Sequence, residues 1–156
     1  MTIFTKSLLL AGIQLALVLS VAGKFWIDRT RLPRVWVRVA PYDPNLPIRG
    51  RYVRLTVEAK AVGSESGAVT LSVDNGQLIA TPTQQSTGLY VSRAVDDHVR
   101  LMPPVAFFIP EHVPDPSRRQ AGEELWAEVS VPKSGPPRPI QLGVKKDGNL
   151  TPLNLR

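Results

Sequence analysis

The chain has 156 residues and a net charge of +6, enough for one domain with its own core and too short for two. Hydrophobic residues make up 43% and charged residues 21%, which excludes a wholly disordered chain. Fifteen prolines and eleven glycines leave little room for long soluble helices, and the lack of cysteine excludes disulfides, thiolate catalysis, Fe–S clusters and thiolate zinc sites.

The first element is apolar. Ser7 to Gly23 carries no charge and holds nine Leu, Ile or Val residues, which favour insertion by about 3–5 kcal/mol. Lys6 and Lys24 bracket the run, and Phe25, Trp26 and Ile27 extend it. Crossing a hydrocarbon core of roughly 30 Å takes about twenty helical residues. Thr5 to Ile27 meets that length if both lysines snorkel and Trp26 sits at the interface. A transmembrane anchor over 1–27 is therefore expected, lying in the bilayer through 5–27. The rival reading is a signal peptide cut after Ala22, with small residues at Ser20 and Ala22.

A short basic linker is expected over 28–34. Between 24 and 60 stand nine basic groups against three acidic ones (Asp28, Asp43, Glu58), whereas 61–156 is nearly balanced. The excess positive charge thus adjoins the apolar segment. Lys24 to Arg38 is a patch for anionic headgroups, each cation near the surface contributing about 1 kcal/mol. No nucleic-acid motif accompanies it, so nucleic acid is not an expected partner.

From 35 to 156 the pattern is β. Val35–Ala40 alternates, and so does Tyr52–Ala59, where Val53, Leu55, Val57 and Ala59 face one way and Tyr52, Arg54, Thr56 and Glu58 the other. Further strands are expected at Val69–Val73, Gln77–Thr81, Leu89–Arg93, Val105–Ile109, Leu125–Val131, Ile140–Lys145 and Leu150–Leu155. Asp74-Asn75-Gly76 and Asp147-Gly148 read as hairpin turns. Pro114–Glu124 reads as a polar loop with room for one helical turn. The fold class is mainly β: an N-terminal transmembrane helix followed by a small antiparallel β-sandwich or barrel-like domain.

Residues 41–58 read PYDPNLPIRGRYVRLTVE. Pro41, Pro44 and Pro47 stiffen a loop, and Gly50 frees one position at a strand entrance. This stretch resembles the GDYXXLXY family of small bacterial membrane-associated proteins at Pro41, Asp43, Pro44, Arg49, Gly50, Tyr52 and Leu55. Arg51 stands where that family has Asp, and Val57 where it has Tyr. Phe107-Phe108-Ile109-Pro110-Glu111 resembles a second family element, followed by Glu123, Glu124 and an alternating strand. The resemblance implies an anchored β domain that works beside a multi-spanning membrane protein, with no established activity to carry over. It implies a bacterial cytoplasmic membrane with the domain on the outer side, although the cationic flank favours the cytoplasm by the positive-inside rule.

The expected interaction surface comprises Asp43, Arg49, Gly50, Arg51, Tyr52, Arg54, Leu55, Phe108 and Glu111, with Glu111 pairing Arg49 or Arg51. Tyr and Arg recur at interface hot spots. No catalytic residue, metal ligand or cofactor is expected. His98 beside Asp96-Asp97 and His112 beside Glu111 leave an envelope hydrolase as one alternative, and a lipid or polysaccharide binder using a barrel mouth as the other. There is no phosphate loop and no G-x-S-x-G elbow.

Overall fold

The computed structural model describes residues 3–42, 52–63, 67–95 and 98–155. It contains one helix, α1 (Ile3–Arg31), and ten strands: β1 (Arg34–Pro41), β2 (Tyr52–Ala61), β3 (Gly67–Asp74), β4 (Gln77–Pro82), β5 (Tyr90–Val95), β6 (His98–Met102), β7 (Val105–Phe108), β8 (Glu123–Ser130), β9 (Arg138–Lys146) and β10 (Asn149–Pro152). The chain divides into two units, Met1–Leu32 and Pro33–Arg156.

In the first unit, α1 is apolar on every side. Leu8, Leu9, Leu10, Ile13, Leu15, Leu17, Val18, Leu19 and Val21 are all exposed. The Ser20 hydroxyl donates to the Leu17 carbonyl at 3.1 Å and the Thr30 hydroxyl to the Trp26 carbonyl at 3.0 Å, so these polar groups are satisfied within the helix. Lys6–Ile27, 22 residues with a mean hydropathy of 1.9, is long and apolar enough to cross a membrane. The helix does not stop at Ile27: residues 28–31 of the expected linker over 28–34 are helical. Asp28, Arg29, Thr30 and Arg31 contain no helix breaker and continue α1, while Pro33 disfavours the helical conformation of Leu32 before it. Only Leu32 and Pro33 separate α1 from β1.

The second unit is organised around β2. Its first half is hydrogen-bonded to β7 on one edge (Tyr52↔Phe108, Val53↔Phe107, Arg54↔Ala106, Leu55↔Val105). On the other edge it meets β1 (Pro41↔Leu55, Ala40↔Thr56, Val39↔Val57). Its second half pairs with β6 (Glu58↔Arg100 to Lys60↔His98) and with β4 (Lys60↔Ile79, Ala61↔Ala80). The order β2-β4-β3-β5-β6 returns to β2 and closes a five-stranded barrel, while β1, β8, β9 and β10 extend outward as a sheet. The fold is thus mainly β, barrel-like, after an N-terminal apolar helix.

The expected strands are present, with shifted ends, and one more was not anticipated. β6 (His98–Met102) is five residues long, with Val99 and Leu101 inward and His98 and Arg100 outward; so short a run conceals the alternation. Nor is the domain antiparallel throughout, because β4 runs parallel to β2. The hairpin turns form where expected. Asn75 and Gly76 have φ of 48° and 73°, and Asp147 and Gly148 have φ of 49° and 83°. These are two-residue loops with positive φ at both positions, which match strand twist. Residues 114–122 hold turns and no helical turn. Asp115 Oδ1 instead accepts from the Ser117 amide at 2.9 Å and the Ser117 hydroxyl at 2.7 Å, the local bonding that competes with helix.

The core follows the alternation. Val35, Val37 and Val39 of β1, Val53, Leu55, Val57 and Ala59 of β2, and Leu125, Ala127 and Val129 of β8 are all buried. Leu55, Leu89 and Leu101 are among the largest fully buried side chains, so side chains fill the barrel interior as expected for so few strands. On the outer face a chain of charges crosses five strands. Arg100 meets Glu58 at 3.7 Å, Glu58 meets Arg38 at 3.8 Å, and Arg38 meets Glu124 at 3.5 Å. Glu124 accepts from the Trp126 indole at 3.0 Å, and Lys145 lies 4.5 Å over that ring.

Gly143 of β9 is fixed by steric exclusion. A Cβ there would lie 2.8 Å from the Trp36 ring and 3.2 Å from the Thr151 carbonyl oxygen. The outer edge of the Trp36 ring, from β1, therefore occupies the place where a side chain would stand. Gly143→Ala is expected to cost about 1–3 kcal/mol, read as a lower melting temperature of the full chain in detergent. In a double-mutant cycle with Trp36→Leu the two costs should be non-additive, because the smaller side chain frees the space.

Candidate functional site

The alternation that buries Leu55 turns Tyr52 and Arg54 outward on β2. Their direct partners across the ladder are Phe108 and Ala106 of β7, so all four share one face. Tyr42, one residue past β1, is held beside them by its amide, which donates to the Arg54 carbonyl at 3.0 Å. Pro103 and Pro104 link β6 to β7, with the Met102–Pro103 bond cis. Tyr42, Tyr52, Arg54, Pro103, Pro104, Ala106 and Phe108 line a groove of about 400 Å³.

The groove has a simple construction. Pro104, Ala106 and Phe108 alternate onto the same face of one chain. Ala106, the smallest, leaves a gap between a proline and a phenyl ring. Tyr52 and Phe108 form one wall, their ring centroids 6.1 Å apart and tilted by 59°, an edge-to-face type of contact. Phe108 is 75% exposed and Tyr42 43% exposed, a large apolar area for two aromatic side chains on a surface. Among the described lining residues Arg54 carries the one permanent charge, and no carboxylate or imidazole is present. This chemistry suits stacking and pairing with an anion. Besides Arg54, the only ionisable side chains among the described lining residues are the phenols of Tyr42 and Tyr52.

The sequence expectations divide into three groups. Tyr52, Arg54 and Phe108 converge on the groove. Leu55 does not; it is wholly buried, because it shares the inward face of β2, and it cannot contact a partner. Glu111 is exposed in the turn after β7, where the Val113 amide donates to the Pro110 carbonyl at 3.2 Å, and it does not line the groove. Asp43, Arg49, Gly50 and Arg51, and with them the pairing expected of Glu111, lie outside the described residues.

Ala106, Pro103 and Pro104 were not singled out from the sequence. The Pro103-Pro104 pair does signal a rigid bend before a strand. The place of Ala106 emerges only from the β2–β7 register.

The two histidines do not meet. His98 pairs with Lys60 at one end of β2, whereas His112 follows β7, which pairs with Tyr52 at the other. Eight residues of strand between those registers span about 26 Å. Among the described residues, no three His, Asp or Glu side chains gather as a metal site would require. A hydrolase built on His98 and His112 together therefore has no common centre. Compared with known families, curated proteins and solved structures, the chain has no significant match.

Tyr52→Ala and Phe108→Ala should each lower unfolding free energy by no more than about 1.5 kcal/mol, the value of an exposed ring pair. Leu55→Ala should cost about 2–5 kcal/mol. Denaturant unfolding of the three variants separates groove from core.

Proposed function

We propose that the chain is a membrane-tethered binding module, with no catalytic role of its own, that engages a partner through the groove between β2 and β7. The observation that carries this reading is the convergence of Tyr42, Tyr52, Arg54 and Phe108 with two prolines on one outer face. Exposed aromatic and arginine side chains are the residue types that dominate binding energy at interfaces. The helix supports the tether: its Leu, Ile and Val side chains are exposed all round, and an uncovered apolar helix is stable only in an apolar medium.

The resemblance of residues 41–58 and 107–111 to the GDYXXLXY family supports the finer reading. In it the membrane is a bacterial cytoplasmic membrane, the β domain lies on its outer side, and the partner is a multi-spanning protein in the same membrane. The basic residues from Lys24 to Arg38 then meet anionic headgroups at the helix end.

Two measurements test this. After an alkaline carbonate wash the full-length protein should remain in the membrane pellet; recovery in the supernatant removes the tether. In mild detergent the tagged protein should co-purify with an integral membrane protein, and Tyr52→Ala should reduce that recovery at least tenfold while the variant remains folded. Equal recovery with both proteins removes the groove from the interface.

A further inference from the structure

We infer that the groove takes an extended, proline-containing segment of a partner protein, with a carboxylate of that segment paired to Arg54. This rests on the binding-module reading and names the partner's chemistry.

Three features of the groove select that ligand. The first is composition. Tyr42, Tyr52, Phe108, Pro103 and Pro104 supply flat apolar walls, the surface on which proline rings of a polyproline II segment pack. Such a segment is extended before it binds, so it loses little conformational entropy, and its carbonyls carry no internal hydrogen bonds. The hydroxyls of Tyr42 and Tyr52 are donors of the kind those carbonyls lack.

The second is charge. Arg54 is the one permanent charge among the described lining residues. Its guanidinium matches a carboxylate in two-pronged geometry. A basic residue in that place would be repelled by the Arg54 guanidinium.

The third is length. Pro104 to Phe108 along the β7 wall is four residue steps, or about 13 Å of extended chain. Two prolines three positions apart in a polyproline II segment lie about 9 Å apart. The wall holds one such repeat and one neighbouring residue, the place for the carboxylate.

Within the second unit the groove lies at the far end of β1 from the chain's entry. The groove includes Tyr42, beyond the last residue of β1, whereas the link to α1 enters at the first. The eight residues of β1 put about 26 Å of strand between the two.

The test uses the full chain in detergent micelles and three fluorescein-labelled peptides. One has the core Glu-Pro-Pro-Glu-Pro-Pro, the second has Lys in place of Glu, and the third has Ala in place of Pro. Fluorescence anisotropy should show saturable binding of the first. The Lys peptide should bind about ten- to a hundredfold more weakly, the range for loss of a charge-assisted contact, and the Ala peptide about tenfold more weakly, through loss of the proline rings and of the extended conformation. Arg54→Gln should weaken the acidic peptide by a similar factor, and Arg54→Glu should reverse the preference in favour of the Lys peptide. Arg54 is exposed, and melting temperature checks that both variants fold.

Equal binding of acidic and basic peptides overturns the inference, as does binding that Tyr52→Ala leaves unchanged. So does the absence of saturable binding by the acidic peptide. Glycerol phosphate and a chito-oligosaccharide serve as competing probes. Tyr52-dependent binding of either one in place of the peptide also overturns it, yet leaves the binding-module reading intact. Loss of Tyr52-dependent capture of the membrane partner removes both.

Discussion

β2 has ten residues and four hydrogen-bonded neighbours: β1, β4, β6 and β7. One strand serves two sheets because it changes partners part-way. Its alternation never breaks register, so Val53, Leu55, Val57 and Ala59 reach one continuous core. A slip of one residue would send all four to solvent and turn Tyr52 and Arg54 inward. The groove therefore depends on buried side chains that it does not contain. Its geometry is set by the register that buries Leu55, and its tolerance of substitution differs sharply between the two faces of the same strand.

The outer surface is organised by smaller effects. Each ion pair of the Arg100–Glu58–Arg38–Glu124 series is exposed on at least one side, and pairs of this kind contribute at most about 1 kcal/mol apiece. Their value lies in joining side chains from four strands, so that one ordered side chain restrains the next. The sheet edges are managed by other means. β7 has four residues, with Pro103 and Pro104 before it and Pro110 soon after, and β10 has four and ends at Pro152. Short, proline-bounded edges offer few unpaired amides to another chain.

Much of this architecture was legible in the residues because its causes are local. Asn75-Gly76 and Asp147-Gly148 make tight hairpins through backbone freedom that few residues have. Tyr52 and Arg54 are recognisable by alternation alone. β6 escaped notice because only Val99 and Leu101 mark its inner face. The apolar span ends at Ile27 as its hydropathy implies, whereas α1 continues to Arg31 because helical propensity does not fall there; Pro33 sets the limit. The parallel β2–β4 pairing and the position of Ala106 opposite Arg54 depend on long-range register, which no local pattern encodes. Leu55 shows the converse error. Its side chain fills the core, and a place in a distinctive stretch of sequence does not by itself separate packing from contact.

The junction at Leu32-Pro33 also has a mechanical consequence. β1 begins one residue after that junction and is bonded to β8 along Arg34–Arg38 and to β2 along Val39–Pro41. Antiparallel hydrogen bonds lie across the strand direction. Tension drawn along β1 therefore strains both ladders in shear, many bonds at once, where a terminal edge such as β10 would peel one bond at a time.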